Sequence, residues 1–201
     1  MYGRRVPKNH PRVEACGSVD ELNAALGLAR ATAGQTFVRG NLPVIQKDLI
    51  VLMGELCVQP KDLARYKKDG YSLVTPEMTA KLDTLIREVE SQNAGLKDWA
   101  MPGETVNAAV LDMARTICRR AERRVCALKE MGELRNAGII VYLNRLGDLL
   151  WLFARWVEAS PSRLSAPTRP SARRCERARA PKAERPAEGQ KGELENPAGR
   201  K

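Results

Sequence analysis

The most regular feature of the chain is a recurrence of apolar residues every three or four positions, found in five separate segments. This period places apolar side chains along one side of an α-helix, unlike the strict alternation that is typical of strands. The sequence therefore predicts five amphipathic helices. Their predicted inward-facing residues are Val19, Leu22, Leu26 and Ala29 in the first helix; Leu42, Ile45, Leu49, Leu52 and Leu56 in the second; Met78, Leu82, Leu85 and Val89 in the third; Val106, Val110, Met113 and Ile117 in the fourth; and Ile139, Leu143, Leu146, Leu150, Phe153 and Val157 in the fifth.

Capping patterns indicate where these helices begin. Ser18 with Glu21 three residues later matches a capping box, which predicts that the first helix starts at Ser18 and that residues 1–17 are irregular. Pro43 is expected in the first turn of the second helix, where proline is tolerated. The third helix is predicted to start at Thr75-Pro76-Glu77, the fourth near Glu104 and the fifth at Asn136, with loops over 58–74 and 91–103.

The composition changes abruptly after Ala159. The following residues are mainly Pro, Ala, Arg, Ser and Glu, which cannot bury enough apolar surface to offset their ordering entropy. We therefore predict a helical domain over 1–160 and a disordered basic tail over 161–201. From residue 160 onward there are 11 Lys or Arg and 5 Asp or Glu, so +6 of the net charge of +10 lies in this tail. This distribution of charge argues against nucleic-acid binding by the folded part.

Several classes of protein are excluded by simple counts. The five cysteines form no CxxC pair and there is one histidine, so the sequence offers no zinc site. The most apolar segment, 139–157, is interrupted by Asn144, Arg145, Asp148 and Arg155, which a membrane span would not carry. The basic N-terminus is not followed by an apolar signal region. A cytoplasmic protein with reduced thiols and no membrane partner is expected.

Four arginines and an acid stand out in the fourth predicted helix, within residues 114–123. Arg115, Arg119 and Glu122 have the spacing i, i+4 and i+7, which places them on one face. Two arginines one turn apart repel each other slightly, and a bound anion would relieve this repulsion. Taken alone, the segment is also compatible with a solvated helix face stabilised by an Arg119–Glu122 ion pair.

Three segments taken together are more specific. They are Arg12-Val13-Glu14-Ala15-Cys16-Gly17-Ser18-Val19-Asp20-Glu21-Leu22-Asn23, the arginine-rich stretch 114–123, and Tyr142-Leu143-Asn144-Arg145-Leu146-Gly147-Asp148. In this order and spacing they resemble the ATP:corrinoid adenosyltransferases of the propanediol-utilisation type, over about residues 3–158. The resemblance implies a five-helix bundle with ferritin-like up-down packing and a homotrimer with active sites between subunits. It also implies transfer of the 5′-deoxyadenosyl group of ATP to Co(I) of a corrinoid, with release of triphosphate.

The resemblance also assigns roles to individual residues. Arg115 is expected to form an intersubunit salt bridge with Asp20 that shapes the corrinoid site, and Arg119 to act with them in catalysis. Trp99 is expected to cover the lower face of the cobalt, and Asp148 to orient or pair with an arginine at the corrinoid. The expected ATP-binding residues are Lys8, Arg119, Arg120, Glu122 and Asn144.

Each of these residues also has a structural interpretation. Asp20 could stabilise the first turn of its helix through the macrodipole. Asn144 and Asp148 could form an exposed polar pair one turn apart, and Trp99 could anchor its loop. Expected cofactors and partners are ATP with Mg²⁺, K⁺ as a further candidate ion, the corrinoid substrate, and a flavoprotein that reduces Co(II).

The chain also departs from the family pattern. It lacks the Thr-Gly-Asp-x-Gly-x-Thr segment that wraps the ATP phosphates, which indicates either a start assigned too late or a lost part of the ATP site. Cys16 stands where tyrosine is usual, and Gly147 where serine is usual. The alternative function is therefore a corrinoid-binding or delivery protein with the same fold and little turnover.

Overall fold

The computed structural model describes residues 2–92 and 100–159, and this part of the chain is helical without strands. Its elements are α1 (Pro11–Thr32), α2 (Thr36–Leu56), a 3₁₀ turn (Pro60–Asp62), α3 (Leu63–Lys68), α4 (Pro76–Ser91), α5 (Val106–Glu130) and α6 (Gly138–Ala159). The predicted tail 161–201 and the expected site residue Trp99 lie outside the described residues. None of the described helices is long and apolar enough to cross a membrane.

Helix α5 organises the bundle, because it packs against both α1 and α6, while α2 packs on α1 and α4 packs on α6. A single apolar cluster fills the space between these helices. The apolar stripes predicted for α1, α2 and α6 are confirmed, since all of their residues are buried. Close packing of these stripes, rather than helix propensity, supplies most of the stability of such an arrangement.

The predicted start of α1 at Ser18 is wrong, because the helix begins seven residues earlier at Pro11. His10 caps it: the Nδ1 atom of the single histidine accepts a hydrogen bond from the amide of Arg12 at 3.1 Å. Ser18 lies inside the helix, and its hydroxyl donates to the carbonyl of Glu14 at 2.9 Å instead of capping a terminus. A serine that bonds back to the preceding turn has the same sequence signature as a cap.

A buried arginine explains why the chain is ordered so close to its beginning. The Arg12 guanidinium donates to the carbonyls of Leu56 and Val58 at 2.7 and 2.8 Å. It also donates to the carbonyl and carboxylate of Glu133 at 2.6 and 2.7 Å. One side chain thus ties the start of α1 to the ends of α2 and α5, satisfying carbonyls that a helix terminus leaves free.

The predicted count of five helices is not confirmed, because the described residues contain six α-helices. The additional one, α3, lies in the segment 58–74, which the polar composition predicted as a loop. An aromatic anchor explains the difference: Tyr66 is buried and stacks on Tyr71 with ring centroids 4.7 Å apart. Two tyrosines in an otherwise polar stretch gave too weak a period to predict a six-residue helix.

Helix α2 starts at Thr36, so Pro43 lies in its interior and not in its first turn as predicted. Aromatic packing holds the additional first turns in place despite the missing proline amide. The ring of Phe37 contacts Phe153 edge to face at 5.9 Å and Trp156 at 5.5 Å between centroids. Both partners belong to α6, 116 or more residues away, which the local pattern could not show.

The apolar stripe predicted for α5 is also partly wrong. Val106 is 71% exposed and Met113 is 44% exposed, whereas Ile117 is buried. The inner face consists mainly of small residues that let neighbouring helices approach, a pattern with little hydrophobic contrast. Its buried residues are Ala108, Leu111, Asp112, Ala114, Ile117, Cys118, Ala121, Val125 and Leu128.

Candidate functional site

An open pocket of about 470 Å³ lies between α4, α5 and α6. Residues of all three helices form its wall, and the charged ones include arginines from both α5 and α6. Those arginines give the pocket the character of an anion site that is open to solvent at one side. The lining residues are Ile86, Glu90, Arg115, Arg119, Asn144, Arg145, Gly147, Asp148, Trp151 and Leu152.

Arg119, Glu122 and Asn144, three of the residues assigned to ATP, form one hydrogen-bonded group. The Arg119 guanidinium pairs with the Glu122 carboxylate at 2.9 Å, and the Asn144 amide donates to the other carboxylate oxygen at 3.1 Å. Glu122 is largely shielded, with 12% of its side chain exposed, whereas 43% of the Arg119 side chain remains exposed. The carboxylate therefore fixes two donors, and Arg119 retains further N–H groups for a ligand.

Gly147 permits the close approach of Arg119 to α6. A Cβ atom at position 147 would lie 3.2 Å from the Arg119 Cδ atom, which is tighter than ordinary van der Waals contact. The departure from serine noted in the sequence therefore has a local structural consequence, because any side chain here would displace Arg119 by a few tenths of an ångström. The sequence showed the substitution but not the contact.

A buried ion-pair network holds Arg115, and sequence reasoning missed it. Asp112 and Arg155 are 3% and 6% exposed. The Arg155 Nη2 atom donates to Asp112 at 2.6 Å and to Glu158 at 2.8 Å, and the other oxygen of Asp112 accepts from Arg115 Nε at 3.4 Å. Arg115 is thus positioned at the pocket by a carboxylate that a buried arginine holds in place.

Arg145 lies beside this group on α6. Its guanidinium donates to Asp83 of α4 at 2.6 Å and to Asp148 at 3.2 Å. Asp148 therefore pairs with an arginine, which was one of its two expected roles, and remains exposed on the pocket wall. Arg145 itself was not predicted as a site residue, although it stands within the quoted motif 142–148.

Three further expected site residues lie away from this pocket within the chain. Asp20 is exposed on α1 and forms no ion pair with the described residues. Arg120 pairs with Glu21 of α1, and Lys8 is exposed in the turn before α1. The expected contact between Asp20 and Arg115 is not made within one chain, where Arg115 faces Asp112 instead.

The described residues offer no obvious protein nucleophile at this pocket. Cys118 precedes Arg119, but its thiol is buried and donates to the carbonyl of Leu143 at 3.2 Å. Burial raises the pKa of Cys118 to about 12, so the thiol stays protonated at neutral pH. The arrangement is suited to binding and orienting an anionic substrate, not to covalent catalysis by a side chain.

Comparison with known protein families gives one consistent result. The family model described as cobalamin adenosyltransferase matches residues 1–157. A corrinoid adenosyltransferase of Citrobacter freundii is 38% identical over 159 residues, which cover 79% of this chain and 88% of the relative. The corrinoid adenosyltransferase PduO of Salmonella typhimurium is 37% identical over 156 residues, 76% of this chain and 44% of that longer protein.

Solved structures agree with this result. A variant of the PduO-type ATP:corrinoid adenosyltransferase from Lactobacillus reuteri, complexed with cobalamin and ATP, superposes with a TM-score of 0.71 at 29% identity. The match covers 79% of this chain and 86% of that one. Another variant of the Lactobacillus reuteri enzyme, complexed with ATP, has a TM-score of 0.69 at 28% identity, covering 79% and 87% of the two chains.

Proposed function

The chain belongs to the cobalamin adenosyltransferase family, and from this membership we infer that it transfers the 5′-deoxyadenosyl group of ATP to the Co(I) centre of a corrinoid. A bond forms between cobalt and the C5′ carbon while the bond from C5′ to oxygen breaks, and triphosphate leaves with the electron pair. The attacking nucleophile is the metal of the substrate. A site without an activated side chain is consistent with that chemistry.

We propose that the nucleotide binds at the pocket between α4, α5 and α6. The observation that supports this proposal is the hydrogen-bonded group in which Glu122 lies 2.9 Å from Arg119 and 3.1 Å from the Asn144 amide. A guanidinium forms a rigid fork of donors that suits phosphate oxygens, and its charge stabilises a triphosphate as it leaves. The Arg119 side chain is exposed enough to contact such a ligand, and its ion pair with Glu122 orients the guanidinium.

Mg²⁺ is proposed as the ion that accompanies ATP, with K⁺ as a second candidate. No group of three or more His, Cys, Asp or Glu that could hold a metal ion occurs in residues 2–92 and 100–159. A carboxylate beside the phosphates is nevertheless a suitable ligand for a hard cation, and Glu122 provides one. The remaining ligands would then be phosphate oxygens and water.

The corrinoid is proposed to bind where two subunits of a homotrimer meet. Asp20 is exposed on α1. On α5, Arg115 lines the pocket, whereas Arg120 points to α1, where it pairs with Glu21. Within one chain Arg115 pairs with Asp112 and not with Asp20, and this supports the proposal that the expected salt bridge joins Asp20 of one chain to Arg115 of another. The family resemblance is the basis on which we propose ligand-binding roles for Trp99, Asp148 and Lys8.

A mixing experiment tests the shared site. We expect Asp20→Arg and Arg115→Asp to abolish most adenosyl transfer when each variant is assayed alone. Co-expression in equal amounts should restore about one interface in four to the wild-type pair, because each interface takes one residue from each neighbour. Activity of the mixture that stays at the level of the single variants would contradict a site shared between subunits.

The double variant on one chain is the matched control. Asp20→Arg with Arg115→Asp reverses both charges in every interface and should regain activity relative to the single variants if the two residues meet. Light scattering of every preparation checks that the oligomer has formed, so that loss of assembly is distinguished from loss of the pair.

The proposed reaction also requires an electron donor for cobalt and a cellular compartment in which the protein acts. Co(I) must be generated from Co(II), and we propose a reduced flavoprotein as the donor. The described cysteines 16, 57, 118 and 126 are free thiols, which supports a reducing compartment such as the cytoplasm.

A further inference from the structure

Two cysteines that the adenosyltransferase chemistry does not use lie against each other, and neither of them lines the pocket between α4, α5 and α6. Cys16 is in the second turn of α1, and Cys57 directly follows the last residue of α2. Their Sγ atoms are 3.1 Å apart although 41 residues separate them in the sequence. A disulfide has a sulfur–sulfur distance of about 2.05 Å, so a displacement of about 1 Å would bring the two atoms to bonding distance.

The surroundings of the pair allow a small oxidant to reach it. Cys57 is exposed, and both thiols line an open cavity of about 190 Å³. Its wall includes Arg4 and Arg12, and the positive charge of Arg12 favours a negative charge on Cys57. Cys118, by contrast, is fully buried and donates its hydrogen to a carbonyl, so it is shielded from the same oxidant.

The two thiols are chemically unequal. The hydrogen bond between the two thiols lowers the pKa of Cys57, and the positive charge of Arg12 acts in the same direction. The same hydrogen bond, together with burial, raises the pKa of Cys16. Cys57 is therefore the more acidic thiol of the pair and the one that ionises first, while Cys16 is the better proton donor.

We propose that Cys16 and Cys57 are a redox-responsive pair that a peroxide converts reversibly into an intrachain disulfide joining α1 to the end of α2. The Cys57 thiolate attacks one oxygen of hydrogen peroxide, the O–O bond breaks, and Cys57 becomes a sulfenic acid. The other oxygen leaves as hydroxide and takes up the proton that Cys57 had released, which gives water. The Cys16 sulfur then attacks the Cys57 sulfur, and the sulfenic oxygen leaves as a second water with the thiol proton. Two thiols and one peroxide thus give one disulfide and two waters, and a dithiol reverses the bond.

This pair is distinct from the active site, and the inference does not rest on the proposed function. Among the other cysteines that the structure describes, Cys118 is buried, and Cys126 lies on α5 and contacts no described thiol. Intracellular disulfides are usually transient and redox-sensing, which is compatible with a pair that is reduced at rest.

The test uses the full chain, reduced and then treated with hydrogen peroxide at a few equivalents. We expect the intact mass to fall by two hydrogens, two fewer thiols to react with iodoacetamide, and peptide mapping to identify a Cys16–Cys57 link that dithiothreitol reverses. The control variant Cys126→Ser with Cys175→Ser should form the same link. Bridges to Cys175, or between chains on a non-reducing gel, in place of this link would overturn the proposal.

The single variants test the order of the two steps. Cys16→Ser should leave a sulfenic acid on Cys57 that dimedone traps, whereas Cys57→Ser should leave Cys16 as an unmodified thiol. Both variants should retain the circular dichroism spectrum of the wild type, since serine is nearly isosteric with cysteine. Dimedone labelling of Cys16 in the Cys57→Ser variant, at the rate seen for Cys57, would contradict the assigned roles.

Discussion

Replacing Arg119 by alanine is expected to lower kcat/KM for corrinoid adenosylation by at least about 100-fold, the usual effect of removing one charged donor from a developing anion. The Arg119 side chain is 43% exposed and lines the pocket, so we expect its main contacts in the active complex to be with the ligand. Its loss should cost at most about 1 kcal/mol of folding free energy, because the Arg119–Glu122 pair is partly exposed. Steady-state kinetics and urea unfolding measure the two quantities separately.

Arg124 provides a matched control on the same helix. Its side chain is 46% exposed and pairs with Glu14 at 2.9 Å, so it resembles Arg119 in exposure and in having one ion pair. It faces α1, away from the pocket. Arg124→Ala should therefore keep activity within about twofold of wild type. If Arg119→Ala and Arg124→Ala had the same activity, the nucleotide would not bind at this face.

The Arg119→Lys variant separates charge from geometry. Lysine keeps the positive charge but replaces the planar fork by a single ammonium, which cannot make paired hydrogen bonds to Glu122 and a phosphate. We expect activity between those of the wild type and Arg119→Ala. Activity of the lysine variant equal to wild type would show that charge alone is required.

Replacing Arg155 by leucine is expected to have the largest effect on stability, about 3–5 kcal/mol, as is usual when one member of a buried ion pair is removed. Asp112 would retain only the 3.4 Å contact with Arg115 while remaining 3% exposed. The unfolding free energy from urea titration is the appropriate measurement. Arg124→Leu, which breaks a surface pair, should cost no more than about 1 kcal/mol.

A double variant distinguishes the cost of an unpaired charge from a general loss of packing. Asp112→Leu with Arg155→Leu removes both buried charges and should be more stable than Arg155→Leu alone. It should still impair catalysis, because Arg115 loses the carboxylate that orients it at the pocket. Equal instability of the single and double variants would mean that the buried pair does not hold these two helices as described.

Helices α2 and α6 were predictable because each carries a repeated apolar stripe. The errors arose where local signals and tertiary contacts differ. Ser18 has the pattern of a cap but bonds to the preceding turn, and the early start of α1 depends on Arg12 reaching carbonyls 44 and 121 residues away. Neither contact has a local signature in the sequence.

In the candidate site, too, contacts within one helix could be predicted from the sequence, whereas contacts between helices could not. The spacing of Arg119 and Glu122 within one helix was sufficient to predict their ion pair, and the resemblance placed Asn144 with them. The network of Asp112 and Arg155 spans α5 and α6, so no periodicity reveals it. Arg155 served in the sequence only as evidence against a membrane span, although in the structure it positions Arg115 through Asp112.

The most direct test of the account is an assay of Co–C bond formation by the full chain. Chemically reduced cob(I)alamin and Mg-ATP are mixed with the protein, the spectral change from Co(I) to the alkylated corrinoid is recorded, and the phosphate products are separated. We predict adenosylcobalamin and triphosphate in equal amounts, both lost in Arg119→Ala and retained in Arg124→Ala. Corrinoid binding without a Co–C bond, or ATP cleavage that yields ADP, would contradict the assignment of this chain as an adenosyltransferase.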